Sequence, residues 1–342
     1  MLIFGAKRID FDQDVFLLLD SDSHISNSLV AVGTTEFLFP AIIVDAGEQT
    51  ARRFAEFFAA QIENDNTRCA YARAVSQFFA WCEKRNLALQ DIDPISVAGY
   101  FKQHSGSPPT RKQHLAALRM LFDWLVTGGA VRSNPASSVK GPKHVIRRGK
   151  TPVLQPDDAR RLFDTIDVST LRGLRDRALL GVMVFSFARV SAVVSMRVGD
   201  YYQNGKRYWL RLHEKGGRYH EVPAHHLVEE YLDAYLTAAG IGDDKASWLF
   251  RSAPRQTSEL TERPLSRRDA LRMVKKWAAA AGVASSTCNH SFRATGITVF
   301  RKNGGTLEQA QQIAAHASPR TTLLYDRSGD EISLDEIERV HF

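Results

Sequence analysis

The chain has 342 residues, 44% hydrophobic and 24% charged, the balance of a soluble globular protein with room for two or three cores. No apolar run approaches the ~20 residues of a membrane helix, and the acidic residues Asp10, Asp12, Asp14 and Asp20 around the short run from Val15 to Leu19 argue against a secretory signal. The net charge of +7 admits a nucleic-acid partner without requiring one, and three cysteines at no metal-binding spacing (Cys69, Cys82, Cys288) predict reduced thiols in a cytoplasmic compartment.

In chain order, residues 1–45 are an N-terminal extension with no assigned role. Phe37, Leu38, Phe39, Ile42, Ile43 and Val44 fit neither a helical nor a strand period, so an arm or a short hairpin is expected. From Glu48 the pattern turns helical, with Phe54, Phe57, Phe58 and Ile62 on one stripe. Asn66 is placed as the cap of a second helix, with Tyr71, Val75, Phe78, Phe79 and Cys82 inward. Asp93-Pro94 opens a third helix that runs through Phe101. Thr110 opens a fourth, with Leu115, Leu118, Phe122 and Leu125 inward, and Gly128-Gly129 stops it. Together they predict an all-helical domain over 46–132.

Residues 133–152 form a basic linker, broken by Asn134-Pro135, Gly141-Pro142 and Pro152 and charged by Lys140, Lys143, Arg147, Arg148 and Lys150. Such a linker ordinarily only solubilises, but between two DNA-touching domains it would neutralise phosphates. A second domain is expected over 153–326. Helices are predicted at 157–166, 171–187, 225–239, 266–281, 290–302 and 307–315. A β-hairpin runs from Arg207 to His213, turns at Lys215-Gly216-Gly217-Arg218 and returns from His220 to Val222. Ser333 opens a last helix in the tail, 327–342. The fold class is mainly α with a small antiparallel β-sheet.

Four blocks carry chemistry: Ser186-Phe187-Ala188-Arg189-Val190-Ser191, the Lys215 turn, Asn289-His290-Ser291-Phe292-Arg293, and Ile313 to Tyr325, which includes His316 and Thr321-Thr322. Arg189 alone would be a surface arginine, the hairpin alone is generic, and His-x-x-Arg alone is a common chance match. In this order and in these contexts they resemble the tyrosine recombinases, the phage-integrase family, in an Xer-like form, over about 46–326.

The resemblance implies a two-domain protein, with a helical SAM-like core-binding domain and an α+β catalytic domain, that cuts and rejoins DNA at specific sites without metal, ATP or other cofactor. Tyr325 would be the nucleophile that forms a 3′-phosphotyrosyl link. Arg189, Arg293, His290 and His316 would bind and polarise the phosphate, and Lys215 would protonate the leaving 5′ oxygen. The chemistry suits these residue types. Guanidinium groups match phosphate oxygens and stay charged, and a phenol leaves readily in the reverse step. Lys143, Arg147, Arg148, Lys150, Arg111 and Lys112 are expected to touch DNA. The expected partners are double-stranded DNA and further copies of the chain, in a tetramer on two sites, in the cytoplasm at the nucleoid; the tail would pass to a neighbouring protomer. An accessory protein, and the choice among dimer resolution, integration and cointegrate resolution by a mobile element, stay open. The rival readings are a type IB topoisomerase and a DNA-binding protein that no longer cuts. Three positions depart from the family pattern: Ala192 where an acidic residue is frequent, Ala315 where glycine is usual, and Phe292 where leucine is common. Ala192 removes a buttress for an arginine.

Overall fold

The computed structural model describes residues 8–9, 29–32, 35–144, 149–214, 218–254 and 259–329. The chain divides into two compact units, residues 1–145 and 146–342.

In the first unit, β2 (Leu29–Val32) and β3 (Thr35–Leu38) form a tight antiparallel hairpin, and β1 (Arg8–Ile9) adds to β2 in parallel. A single-turn helix follows, α1 (Ala41–Val44), which buries Ile42 and Ile43. Four residues are too few to show a period, so this helix left no pattern in the sequence. With Phe39, its side chains join the core of the helices that follow.

Those helices are α2 (Glu48–Ala60), α3 (Asp65–Glu83), α4 (Pro94–Gln103) and α5 (Pro108–Thr127). Two starts differ from expectation. The cap of α3 is Asn64, not Asn66: its side chain accepts from the Thr67 backbone N–H at 3.2 Å. Helix α5 begins at Pro108 rather than Thr110, because prolines fit a first turn whose N–H groups have no partner inside the helix. Asp93 caps α4 as predicted, accepting from Ser96 N–H at 2.7 Å. The core is a phenylalanine cluster, with Phe54, Phe57, Phe58, Phe78, Phe79 and Phe122 all fully buried.

The second unit carries α6 (Pro156–Asp164), α7 (Leu171–Phe185), α8 (Val190–Val194), β4 (Tyr201–Asn204), β5 (Arg207–Glu214), β6 (Arg218–Pro223), α9 (His226–Ala239), α10 (Arg267–Ala280), α11 (Asn289–Lys302), α12 (Leu307–Ile313) and α13 (Pro319–Leu323). The strands make one antiparallel sheet in the order β4-β5-β6. Elements α8, β4 and α13 are each four or five residues long, too short to show a period in the sequence.

Helix α7 is the axis of this unit. Ala178, Leu179, Leu180, Val182 and Met183 are completely buried in the core. Helix α11 lies close against it at Gly296, where a Cβ would fall 2.1 Å from the Val184 carbonyl oxygen and 2.6 Å from the Phe187 ring. Asp176 on α7 accepts from Trp277 Nε1 at 2.9 Å and from Arg175 Nε at 3.0 Å, which satisfies a buried charge within the core. Among the described residues no helix is long and apolar enough to cross a membrane. The helix expected from Ser333 lies outside the described residues.

Candidate active site

The site is assembled where α7 ends and where α11, α12 and α13 meet. After α7 the chain turns at Phe187, whose φ of 53° is left-handed. A bulky side chain rarely adopts that region. After the turn Arg189 takes the N-cap position of α8. The turn also aims the Phe187 carbonyl at Arg293, whose Nη1 donates to it.

Arg293 is 1% exposed. Its Nη2 donates to the Ala314 carbonyl at 2.6 Å and to His316 Nε2. Among the described residues its Nε is a buried donor with no partner. Burial, followed by the charge of Arg189, pulls its pKa down to about 10, so the guanidinium stays charged at neutral pH. The residue after Ala314 is Ala315, at a φ of 49°. Two left-handed non-glycine residues therefore flank the carbonyls that clamp one guanidinium.

His316 is buried between Arg293 and Thr322, and its Nδ1 is 2.9 Å from Thr322 Oγ1. A guanidinium can only donate, so His316 Nε2 must accept from Arg293, which leaves Nδ1–H to donate to Thr322. Burial first, then the charges of Arg293 and Arg189, push its pKa down to about 3. His316 is thus a neutral imidazole, fixed in one tautomer. The threonine that the sequence showed as half of Thr321-Thr322 is its second anchor.

Tyr325 lies over this cluster. Its ring stacks on His316 with centroids 5.6 Å apart, and the Arg293 guanidinium lies 5.6 Å from its centroid. Its hydroxyl is 3.5 Å from His290 Nδ1, at the outer limit of a hydrogen bond. His290 is exposed, yet the protein atoms crowded against the ring, with Arg293 and Arg189, hold its pKa below the ordinary value. The tyrosine backbone is pinned by α11. Thr298 Oγ1 donates to the Tyr325 carbonyl at 3.2 Å, and Arg301 Nε donates to the Asp326 carboxylate at 3.2 Å.

The sheet joins the site at two points. His220 Nε2 on β6 donates to the Ile313 carbonyl at 2.9 Å, just before the Ala314–His316 segment. Glu214, the last residue of β5, accepts from Arg189 Nη1 in an ion pair. No local pattern marks Glu214, since the partners lie on different elements.

The structure thus brings together Tyr325, Arg189, His290, Arg293 and His316. Lys215, Arg147 and Arg148 lie outside the described residues. Of the residues expected on DNA, Lys112, Lys143 and Lys150 are exposed and Arg111 is half-buried; Lys112 Nζ donates to the His144 carbonyl at 3.3 Å.

Residues 152–331 match the phage integrase family, and residues 52–129 match that family's N-terminal SAM-like domain. The chain belongs to the phage integrase family. Its members, the tyrosine recombinases, break and rejoin DNA strands, and this chain is such an enzyme. It is 25% identical to the tyrosine recombinase XerD of Listeria monocytogenes over 269 residues, 76% of this chain and 87% of the relative. It is 29% identical to XerC of Salmonella typhi over 220 residues, 64% and 69% of the two chains. Two solved recombinases share the fold. XerH bound to its difH substrate aligns with a TM-score of 0.62 at 16% identity, covering 90% of each chain. A lambda integrase tetramer on a Holliday junction aligns at 0.62 and 19% identity, covering 83% of this chain and 79% of the integrase.

Proposed function

We propose that Tyr325 is the nucleophile of site-specific strand exchange and that the other clustered residues serve the phosphate. The observation that carries this reading is the convergence of Tyr325, Arg189, His290, Arg293 and His316 from four separate segments onto one spot. The Tyr325 hydroxyl attacks the scissile phosphorus. His290, kept neutral at neutral pH by its lowered pKa, accepts the phenol proton at Nδ1. As the phosphotyrosyl bond forms, the bond to the 5′ oxygen breaks, and Lys215 supplies that oxygen with a proton. Arg189 and Arg293 stabilise the negative charge that gathers on the non-bridging oxygens. The unpartnered Nε of Arg293 is a donor that a phosphate oxygen would satisfy. His316 holds Arg293 in place and backs the tyrosine ring. The ester conserves the bond energy, so a 5′-hydroxyl from a second duplex can reverse the step with no metal or nucleotide.

Removing one pre-organised donor to a transition-state oxyanion slows the step by ~10²–10³. Arg189→Ala is expected to bind DNA normally and to form covalent adduct that much more slowly. Arg293→Ala is expected to do the same and also to melt earlier, because the Phe187 and Ala314 carbonyls lose their donor. A near-normal cleavage rate in purified Arg189→Ala would remove the arginine from the mechanism.

The relatives and the DNA-bound neighbours support the wider reading, in which the protein works on double-stranded DNA at the nucleoid as a tetramer of copies. Exposed Lys112, Lys143 and Lys150, with Arg111, Arg147 and Arg148, would supply phosphate contacts. Sedimentation with a two-site duplex should then give a species of four protomers; a monomer on each site would contradict the assembly.

A further inference from the structure

We infer that Glu214 is a positioning residue for cleavage, the carboxylate that orients Arg189 toward the phosphate and offsets the positive charge of the site. This rests on the catalytic role proposed for Arg189. The Arg189 and Glu214 side chains are ion-paired, and they differ in exposure: the Glu214 side chain is 7% exposed and that of Arg189 is 33% exposed. The carboxylate therefore lies behind the arginine, away from solvent. Among the described residues only Nη1 is engaged, which leaves the rest of the fork to meet a phosphate.

The charges around the pair give the carboxylate a second effect. Arg189 acts on Arg293, His290 and His316, and in each case it disfavours the charged form. Glu214 is the carboxylate that acts the other way on Arg293. The carboxylate, paired with Arg189, thus offsets part of the repulsion between the two guanidinium groups. No side chain on α8 can do this, because residue 192, one turn beyond Arg189, is a buried alanine. The partner comes instead from the end of the strand that leads into Lys215. A buried carboxylate that fixes a charged donor resembles the outer groups around a metal ligand, whose loss weakens function about 10- to 100-fold.

The test compares wild type, Glu214→Gln, Glu214→Asp, Arg189→Ala and the double variant Arg189→Ala/Glu214→Gln. The probe is sheared genomic DNA of the source organism. The readouts are DNA affinity by gel shift, the rate of SDS-stable adduct formation, and the melting temperature. Glu214→Gln is expected to bind DNA as wild type does and to form adduct about 10- to 100-fold more slowly. Glu214→Asp, which keeps the charge, should recover part of that rate. In the double variant the glutamine should slow Arg189→Ala by less than about threefold, because the carboxylate acts through the arginine. Full additivity would place its influence elsewhere and overturn the inference. A faster Glu214→Gln would mean that the carboxylate occupies the phosphate's place, and would also overturn it. If Glu214→Gln melts below the assay temperature, Glu214→Asp decides: a rate no better than that of an Arg189→Ala enzyme overturns the inference. If Arg189→Ala itself cleaves normally, the reading of the active site fails; if only Glu214→Gln cleaves normally, the inference alone fails.

Discussion

His316 shows how a single residue's chemistry is set by its neighbours. The sequence placed it in the last block, but its protonation follows from burial and from the two arginines, neither adjacent in the chain. With a folded pKa of about 3 against 6.5 when exposed, the neutral form is the one the fold binds. The unfolded chain takes up more protons between these values. This group's contribution to stability is therefore complete above pH 6.5 and is lost as the pH falls from there toward 3. In an NMR titration the His316 ring should stay neutral down to about pH 4, in the Nδ1–H tautomer. A titration step near 6.5 would contradict the buried arrangement. Ala315 is a second case. The family pattern usually has glycine there, and the φ of 49° gives the physical reason. Relief of left-handed strain, about 1–2 kcal/mol, is partly offset by the added freedom of glycine in the unfolded chain, about 0.5–1 kcal/mol. Ala315→Gly should thus raise stability by up to about 1.5 kcal/mol, read as a higher melting temperature; a lower one would show that Ala315 is unstrained. Glu214 was not legible in the sequence, because its partner Arg189 lies on another element and no spacing rule connects them.

At the scale of elements, legibility followed length. Helices of nine residues or more, α2 to α7 and α9 to α11, are legible from their stripes and caps, with boundaries within three residues of those observed. Elements of four or five residues, α1, α8, β4 and α13, are too short to show a period. Yet α8 and α13 flank Arg189 and Tyr325, so the least legible elements border the candidate site. The close contact of α11 with α7 matters for the same reason. A methyl group at residue 296 would strike the Val184 carbonyl and the Phe187 ring, and Phe187 holds Arg293. Gly296→Ala is expected to destabilise the catalytic unit by about 1–3 kcal/mol and to slow cleavage beyond what the stability loss explains. Retention of both stability and rate would show that the two helices can part without disturbing the arginine.

For the whole molecule, the order of the motifs was more informative than composition. A charge of +7 on 342 residues is shared by many proteins with no nucleic-acid partner. Arg189, His290, Arg293, His316 and Tyr325 are spread over more than a third of the chain, and the second unit folds them onto one site. The proposed role of this site is to bond covalently to DNA through Tyr325. The most direct test is to incubate wild type and Tyr325→Phe with sheared genomic DNA of the source organism in EDTA, wash in SDS, and sequence the DNA that stays attached. Adducts are expected at a recurring sequence, with wild type only. Adducts scattered without sequence preference would indicate relaxation of DNA in the manner of a type IB topoisomerase. Adducts that persist in Tyr325→Phe, or a wild type that binds DNA and forms none, would contradict the account.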